Sequence, residues 1–246
     1  FMQIRRLKKA GILFAAVSGR SYSSLKKLFA PVIDDILFIC DNGARTIYRG
    51  NLLSCCTIRR DLALDIVREI EELPGCTTYI SAMKDGYVKE GADELYQWLT
   101  EGYELDIIKL KRMPEDLPAN DGILSVEMYH PTDAEGIAHQ GLYQKWHGHR
   151  ELQLVCAGKQ WMNFTPINAD KGIALSEFQN RYGITPGETM AFGDNLNDAS
   201  MLLRADLSYA IGNARKEIKS MTRFVADTNL NDGVLQILRR VKANSH

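Results

Sequence analysis

The stretch Ile12-Leu13-Phe14-Ala15-Ala16-Val17-Ser18-Gly19-Arg20 decides the fold. Its first six residues are almost continuously apolar, the pattern of a strand in a parallel sheet covered on both faces. Ser18-Gly19-Arg20 then makes a turn, and residues 23–29 (Ser-Ser-Leu-Lys-Lys-Leu-Phe) read as a helix. A second buried strand follows at Ile36-Leu37-Phe38-Ile39-Cys40 and ends in Asp41-Asn42-Gly43-Ala44. Strand, polar turn, helix, strand is the grammar of a doubly wound sheet, in which ligands bind beyond the carboxyl ends of the strands. Upstream, Ile4 and Leu7 precede Gly11, a helix stop. Phe1 to Leu7 reads like the middle of an amphipathic helix and not like a secretory signal.

Downstream of this unit the rhythm changes. Asp61 opens a helix with Leu62, Ile66, Ile70 and Leu73 on one face before Pro74-Gly75. Strands are expected at residues 77–80, 123–128 and 152–155, and helices at 94–99 and 134–146. Residues 57–165 thus form an inserted α+β cap domain, and residues 1–56 and 166–246 a discontinuous Rossmann-like core. The parallel grammar then returns. A helix at 172–182 follows Ala169-Asp170-Lys171, and the short strand Thr189-Met190-Ala191-Phe192 feeds the loop Gly193-Asp194-Asn195-Leu196-Asn197-Asp198. Residues 199–203 start a helix, 207–211 form a strand, Gly212-Asn213-Ala214 turns, and 233–238 close the chain as a helix. The expected fold class is α/β, a parallel-sheet core with an inserted α+β cap.

Composition bounds the function. The chain has 246 residues, 45% hydrophobic and 25% charged, with a formal net charge of −1. That balance supports neither broad attraction to nucleic acid nor to an anionic membrane. No apolar run approaches the roughly 20 residues that span a bilayer. Five cysteines without spaced CxxC pairs give neither a zinc signature nor a disulfide scaffold. They read as reduced, mostly buried thiols in a cytoplasmic protein.

The strand ends carry complementary polar groups. Ser18 and the amides around Gly19 can donate to a phosphoryl oxygen at a helix start. Lys171 offers a point charge that offsets phosphate and carboxylate charge. Asp194 and Asp198 offer hard oxygen ligands, or their supporting shell, suited to magnesium. Asn195 and Asn197 can orient carboxylates or waters without adding charge. Taken singly, Ser18-Gly19-Arg20 is equally an ordinary tight turn, Lys171 a solvated lysine, Asn42 a left-handed turn residue, and Asp194 and Asp198 helix caps.

In this order and placement, Ser18-Gly19-Arg20, Asn42-Gly43-Ala44, Asp170-Lys171-Gly172 and Gly193 to Asp198 resemble the haloacid dehalogenase-like superfamily. The resemblance is to its Cof-type phosphatases with an inserted α/β cap. Gly212-Asn213-Ala214 and Asn231-Asp232-Gly233-Val234 extend it. The resemblance implies that Ser18 and Asn42 contact phosphate and that Lys171 stabilises the phosphoryl group and the nucleophile. It further implies that Asp194 binds Mg2+ directly, with Asn197 and Asp198 closing the metal shell or orienting Lys171. Arg20 serves either the phosphate or the turn.

The family's nucleophile and general acid/base lie in an Asp-x-Asp motif after the first core strand. No such motif occurs in Phe1 to Val17, and Asp34 and Asp35 come too late. Losing a central strand would expose apolar neighbours and unpaired backbone groups. The expectation is therefore an upstream strand and catalytic loop outside these residues, with the nucleophile unassigned. The expected function is magnesium-dependent hydrolysis of a small phosphomonoester, such as a sugar phosphate, through an aspartyl-phosphate intermediate. The alternatives are an inactive phosphate-ligand-binding or regulatory protein, and a phosphomutase. The implied partner is a small phosphorylated metabolite; oligomeric state is left open.

Overall fold

A computed structural model describes residues 1–156 and 159–241. The chain forms two compact units, Phe1–Cys55 with Asn168–His246, and Cys56–Ile167. Among the described residues no helix is long and apolar enough to cross a membrane.

In the first unit, helix α1 (Met2–Lys9) buries Ile4 and Leu7, and Arg6, Lys8 and Lys9 in its last turn suit the helix dipole. Strand β1 (Phe14–Val17) runs parallel to β2 (Ile36–Cys40), with Phe14 opposite Ile36 and Val17 opposite Ile39. Between them lies α2 (Tyr22–Leu28), capped by Ser21, whose hydroxyl accepts from the Ser24 amide. All five residues of β2 are buried, as their uninterrupted apolar run demands.

The sheet departs from the all-parallel expectation after β2. Strands β3 (Arg45–Tyr48) and β4 (Asn51–Cys55) continue it antiparallel, giving the order β1-β2-β3-β4. The reason is chain length. Four residues separate β2 from β3, whereas a parallel return needs a crossover of a dozen or more. The two-residue turn Arg49-Gly50, with φ of 51° and 73°, closes the β3–β4 hairpin. Two positive φ values match the twist of the flanking strands.

The inserted unit begins with α3 (Arg60–Glu71), whose Leu62, Ala63, Ile66, Val67 and Ile70 are buried. Its strands are β5 (Thr77–Ala82), β6 (Gly86–Lys89), β7 (Ile107–Leu110), β8 (Ile123–Tyr129), β9 (Leu152–Cys156) and β10 (Trp161–Pro166). They form one sheet in the order β7-β6-β5-β8-β10-β9, antiparallel except for the β6–β7 pair. One core joins α3 to Ile80, Val126, Met128, Met162 and Phe164, together with helices α5 (Ala134–His139) and α6 (Leu142–Trp146). A second, aromatic cluster gathers Tyr79, Tyr129 and Trp161 under α4 (Asp93–Gln97), which runs on into one wide turn at Trp98–Gly102. The single helix expected at 134–146 is two, interrupted at Gln140-Gly141.

Back in the first unit, α7 (Lys171–Tyr182) starts at Asp170, whose carboxylate accepts from the Ile173 amide at 2.8 Å. It ends at Gly183 with φ 67°, the left-handed stop that glycine favours. Strands β11 (Met190–Gly193), β12 (Leu207–Ala210) and β13 (Phe224–Val225) are parallel neighbours. Helices α8 (Ala199–Leu202), α9 (Lys216–Met221) and α10 (Gly233–Arg240) connect and follow them. Among the described residues β1 is paired only to β2, and β11 only to β12. Yet one apolar cluster contains Leu37 and Ile39 of β2, Ala191 of β11 and Ala210 of β12, with Ala15 and Val17 of β1 packed against it.

Candidate active site

The carboxyl ends of β1, β2 and β11, with the start of α7, converge through backbone and side-chain contacts. After β1, the Ser18 amide donates to the Ile39 carbonyl at 2.9 Å and the Ser18 carbonyl accepts from the Asn42 amide at 3.1 Å. The Ser18 hydroxyl accepts from the Arg20 amide at 3.1 Å. Gly19 lies against the Asn42 side chain, so that a Cβ there would stand 3.0 Å from Oδ1. The Arg20 guanidinium donates to the Ser24 hydroxyl, a link within the turn and helix.

Asp41 and Asn42 both adopt left-handed backbone, φ 51° and 54°, and Gly43 follows at φ 100°. Gly43 is where a side chain is impossible: a Cβ would lie 2.4 Å from the backbone of Asp170. The turn after β2 is thereby pressed onto the residue that precedes Lys171. Asp41 is buried and ion-paired to Arg45 at 3.0 Å. The sequence reading missed this pair. The available signal was an acid and a base four positions apart, a spacing that carries meaning on a helix but not across a turn into a strand.

Lys171 and Asp198 form the second buried ion pair, 2.7 Å between Nζ and Oδ1. The other carboxylate oxygen of Asp198 accepts the amides of Asp194 at 2.9 Å and Asn195 at 3.2 Å. Asp198 therefore braces its own loop while holding the lysine. Gly193 makes this possible, since a Cβ there would stand 2.6 Å from the Asp198 Cβ. The Asp194 carbonyl accepts the Arg215 amide and the Gly193 carbonyl the Ile211 amide, fixing the loop to the turn after β12. Asn195 accepts from the Leu196 amide. Asn197 crosses over, donating from Nδ2 to Asn42 Oδ1 at 3.0 Å. Asp194, Asn195 and Asn197 are exposed.

The loops named from sequence thus touch one another, and their division of labour is sharper. Asp198 is committed to Lys171 and two amides, leaving Asp194 as the exposed carboxylate of the acidic loop. Among the described residues no group of three or more His, Cys, Asp or Glu side chains gathers as a metal site. A single exposed carboxylate still suits magnesium, which keeps several waters and takes one or two protein carboxylates beside phosphate oxygens.

The two further motifs have structural explanations. Gly212 donates its amide to the Asp227 carbonyl, and Gly233 sits against that carbonyl, where a Cβ would be 2.0 Å from the oxygen. The Asp227 carboxyl is held below the usual carboxylate range by a hydrogen bond from the Asn231 side chain and one from the Thr228 amide. Burial, and secondarily the Asp41 carboxylate, pushes the Cys40 thiol well up. In the inserted unit, Tyr87 donates to Asp121, Lys89 pairs with Glu71, and His130 Nδ1 accepts the Thr132 and Asp133 amides. These are packing and capping roles.

The model of the haloacid dehalogenase-like hydrolases matches residues 2–238. Over 97% of this chain and 86% of the relative, 23% of residues are identical to the 5-amino-6-(5-phospho-D-ribitylamino)uracil phosphatase YbjI of Escherichia coli K12. Phosphatase YwpJ of Bacillus subtilis 168 is 27% identical over 97% of this chain and 90% of its own. A crystal structure from Eubacterium rectale superposes with a TM-score of 0.88 at 28% identity, covering 97% of this chain and 89% of that one. The chain belongs to the haloacid dehalogenase-like hydrolases, in the Cof-type phosphatase family with an inserted cap.

Proposed function

We propose that this protein hydrolyses a small phosphomonoester with magnesium, through an aspartyl-phosphate whose nucleophile lies on a strand upstream of Phe1. The observation that carries the reading is the contact network in which Lys171–Asp198, Asn42–Asn197 and the Ser18–Asn42 backbone bond tie strand-end loops together. The strand proposal is supported by β1 and β11, each paired on one side only among the described residues although one apolar cluster draws on both. A parallel strand exchanging hydrogen bonds with both edges would satisfy their backbone groups and bring its carboxyl end among these loops.

In this reading Ser18, the amides around Gly19, and Asn42 bind the phosphoryl oxygens. Lys171, held at the start of α7 by Asp198, neutralises charge on phosphate and nucleophile. Asp194 would hold magnesium, with Asn195, Asn197 and Asp198 supporting its loop; the ion supplies charge stabilisation on the reacting oxygens. One upstream aspartate attacks phosphorus while a second protonates the departing alcohol and later activates water. We assign leaving-group selection to the inserted unit, residues 57–165 in the sequence reading. A cytoplasmic setting accords with the free thiols of Cys40, Cys55, Cys56 and Cys76.

The E. coli relative's name describes a phosphate ester on a ribityl chain, so that compound and simple sugar phosphates head the test panel. The protein carrying its upstream strand is expected to release inorganic phosphate from at least one of them, and only with magnesium. Folded protein that releases none across a broad panel sinks the proposal. Isomerised sugar phosphate in place of free phosphate would instead establish a mutase.

A further inference from the structure

The Asp41–Arg45 pair has no part in the chemistry proposed above, yet it is among the most enclosed polar features of the first unit. The Arg45 guanidinium donates from Nε and Nη2 to Asp41 Oδ2 at 3.2 and 3.0 Å, and the two side chains are 7% and 6% exposed. Apolar residues of similar volume would stabilise a core as well as a buried ion pair does. The forked guanidinium adds direction, since two donors on one oxygen fix where that carboxylate lies.

What is being directed is a costly turn. Asp41 and Asn42 are consecutive non-glycine residues at φ 51° and 54°, a region that most L residues avoid and that Asp and Asn enter as single residues rather than in succession. Such backbone persists where its surroundings over-determine it. Here the Asp41 amide donates to the Arg20 carbonyl, the Asn42 amide to Ser18, and the Ala44 amide to the Asp41 carbonyl. The same turn meets three other loops. Gly19 lies against Asn42, Asp170 against Gly43, and Asn197 bonds the Asn42 amide group. Arg45, the first residue of β3, also lies 5.9 Å from the Tyr22 ring of α2, so the pair joins the sheet to the turn and to the helix beside it.

We propose that Arg45 is a positioning residue: acting through Asp41, it holds the left-handed turn that places Asn42 at the phosphate end of the strands. This rests on the reading of Asn42 as a phosphate contact.

The test is calorimetric titration of the full-length protein with inorganic phosphate in magnesium buffer. Wild type, Arg45→Met, Asn42→Ala and the double variant are compared, each first checked for folding by circular dichroism and thermal melting. Arg45→Met is expected to weaken phosphate affinity about tenfold, the scale of one charge-assisted hydrogen bond lost from a site. Asn42→Ala should lose a similar factor, and the double variant no more than either single one, because both changes remove the same contact. Arg45→Lys, which keeps the charge but not the fork, should fall between wild type and Arg45→Met. If Arg45→Met does not fold, Arg45→Lys and Asp41→Asn carry the same comparison against Asn42→Ala. Wild-type affinity in the Arg45 variants, or losses that multiply in the double variant, overturns the positioning role while leaving the phosphate site standing. Wild type that binds no phosphate removes the phosphate-site reading and this inference with it.

Discussion

Asp198 shows how one side chain can be mistaken for another's equal. In sequence, Asp194 and Asp198 are two acids in one loop; in the structure one is exposed and the other is buried under three hydrogen bonds. Removing the buried one should cost far more than a surface acid would. Asp198→Ala strands the Lys171 ammonium in a buried place, and unfolding in urea should show a loss of about 3 kcal/mol. Asp198→Asn, which retains an oxygen for the amides of Asp194 and Asn195, should lose less. Equal midpoints for both variants and wild type would mean that the ion pair contributes nothing. The thiols make a second residue-scale case. Burial, with the Glu71 carboxylate second, pushes Cys76 up to about 11, and Cys40 is raised further, whereas Cys55 is exposed. Since the thiolate is the nucleophile, iodoacetamide at pH 8 should label Cys55 well before Cys40 or Cys76, as peptide mapping would reveal. The stability consequence has a definite sign. A raised folded-state value means the unfolded chain loses its proton first, so stability declines as pH climbs from about 8.5. For Cys76 the decline continues until its folded thiol ionises near 11. Legibility at this scale was uneven. Ser18, Asn42 and Asp194 stood out in the sequence because each sits just past an apolar run, and Lys171 because it opens a helix. The bond from Lys171 to Asp198 is one of the two roles the resemblance allowed, whereas the bonds of Asp198 to its own loop amides left no signal. The Asp41–Arg45 pair was not legible, because a four-residue spacing announces an ion pair on a helix and not across a turn into a strand.

At the scale of elements, long apolar runs were read well and short alternating ones poorly. Residues 36–40 were recognised in full because five consecutive apolar side chains have no other use here. The β3–β4 hairpin was passed over because its turn is Arg49-Gly50, without the Asn or Asp that usually announces two left-handed residues. Strands β6 and β7 have four residues each, too short for alternation to rise above chance. The inserted helix at 134–146 was read as continuous because its apolar spacing survives across Gly141, where the structure breaks. Two turn glycines of the first unit, Gly43 and Gly50, offer a controlled comparison. Gly50 has open space around its missing side chain, while a Cβ at Gly43 would collide with Asp170. Gly50→Ala should therefore cost about 1 kcal/mol, the left-handed penalty alone. Gly43→Ala should cost at least about 3 kcal/mol or prevent folding, because the conformational penalty is joined by a backbone overlap. Denaturant midpoints for the pair decide the matter; similar losses would mean that the turn yields without consequence.

For the molecule as a whole, the parallel grammar was legible and its interruption was not. Sequence suggested one parallel core sheet, whereas the core holds a four-stranded mixed sheet and a three-stranded parallel one. A one-dimensional reading cannot tell which strands are neighbours when the connecting chain is long. The edges of β1 and β11 carry the physical consequence. Unpaired backbone donors and acceptors beside apolar side chains are templates for pairing with other chains. Residues 1–246 produced alone should accordingly self-associate at micromolar concentrations, while protein bearing the proposed upstream strand should sediment as a discrete species. A discrete, unaggregated 1–246 would argue that these edges are protected in some other way.

Those same two edges invite an experiment of a different kind. A synthetic peptide carrying the proposed upstream strand could be mixed with residues 1–246, which on the proposed function are two halves of one enzyme, each silent alone. Activity would then appear in proportion to the peptide added, and its half-saturation would measure how strongly the sheet holds that strand. The protein would become a reporter whose signal is switched by the supply of a single strand.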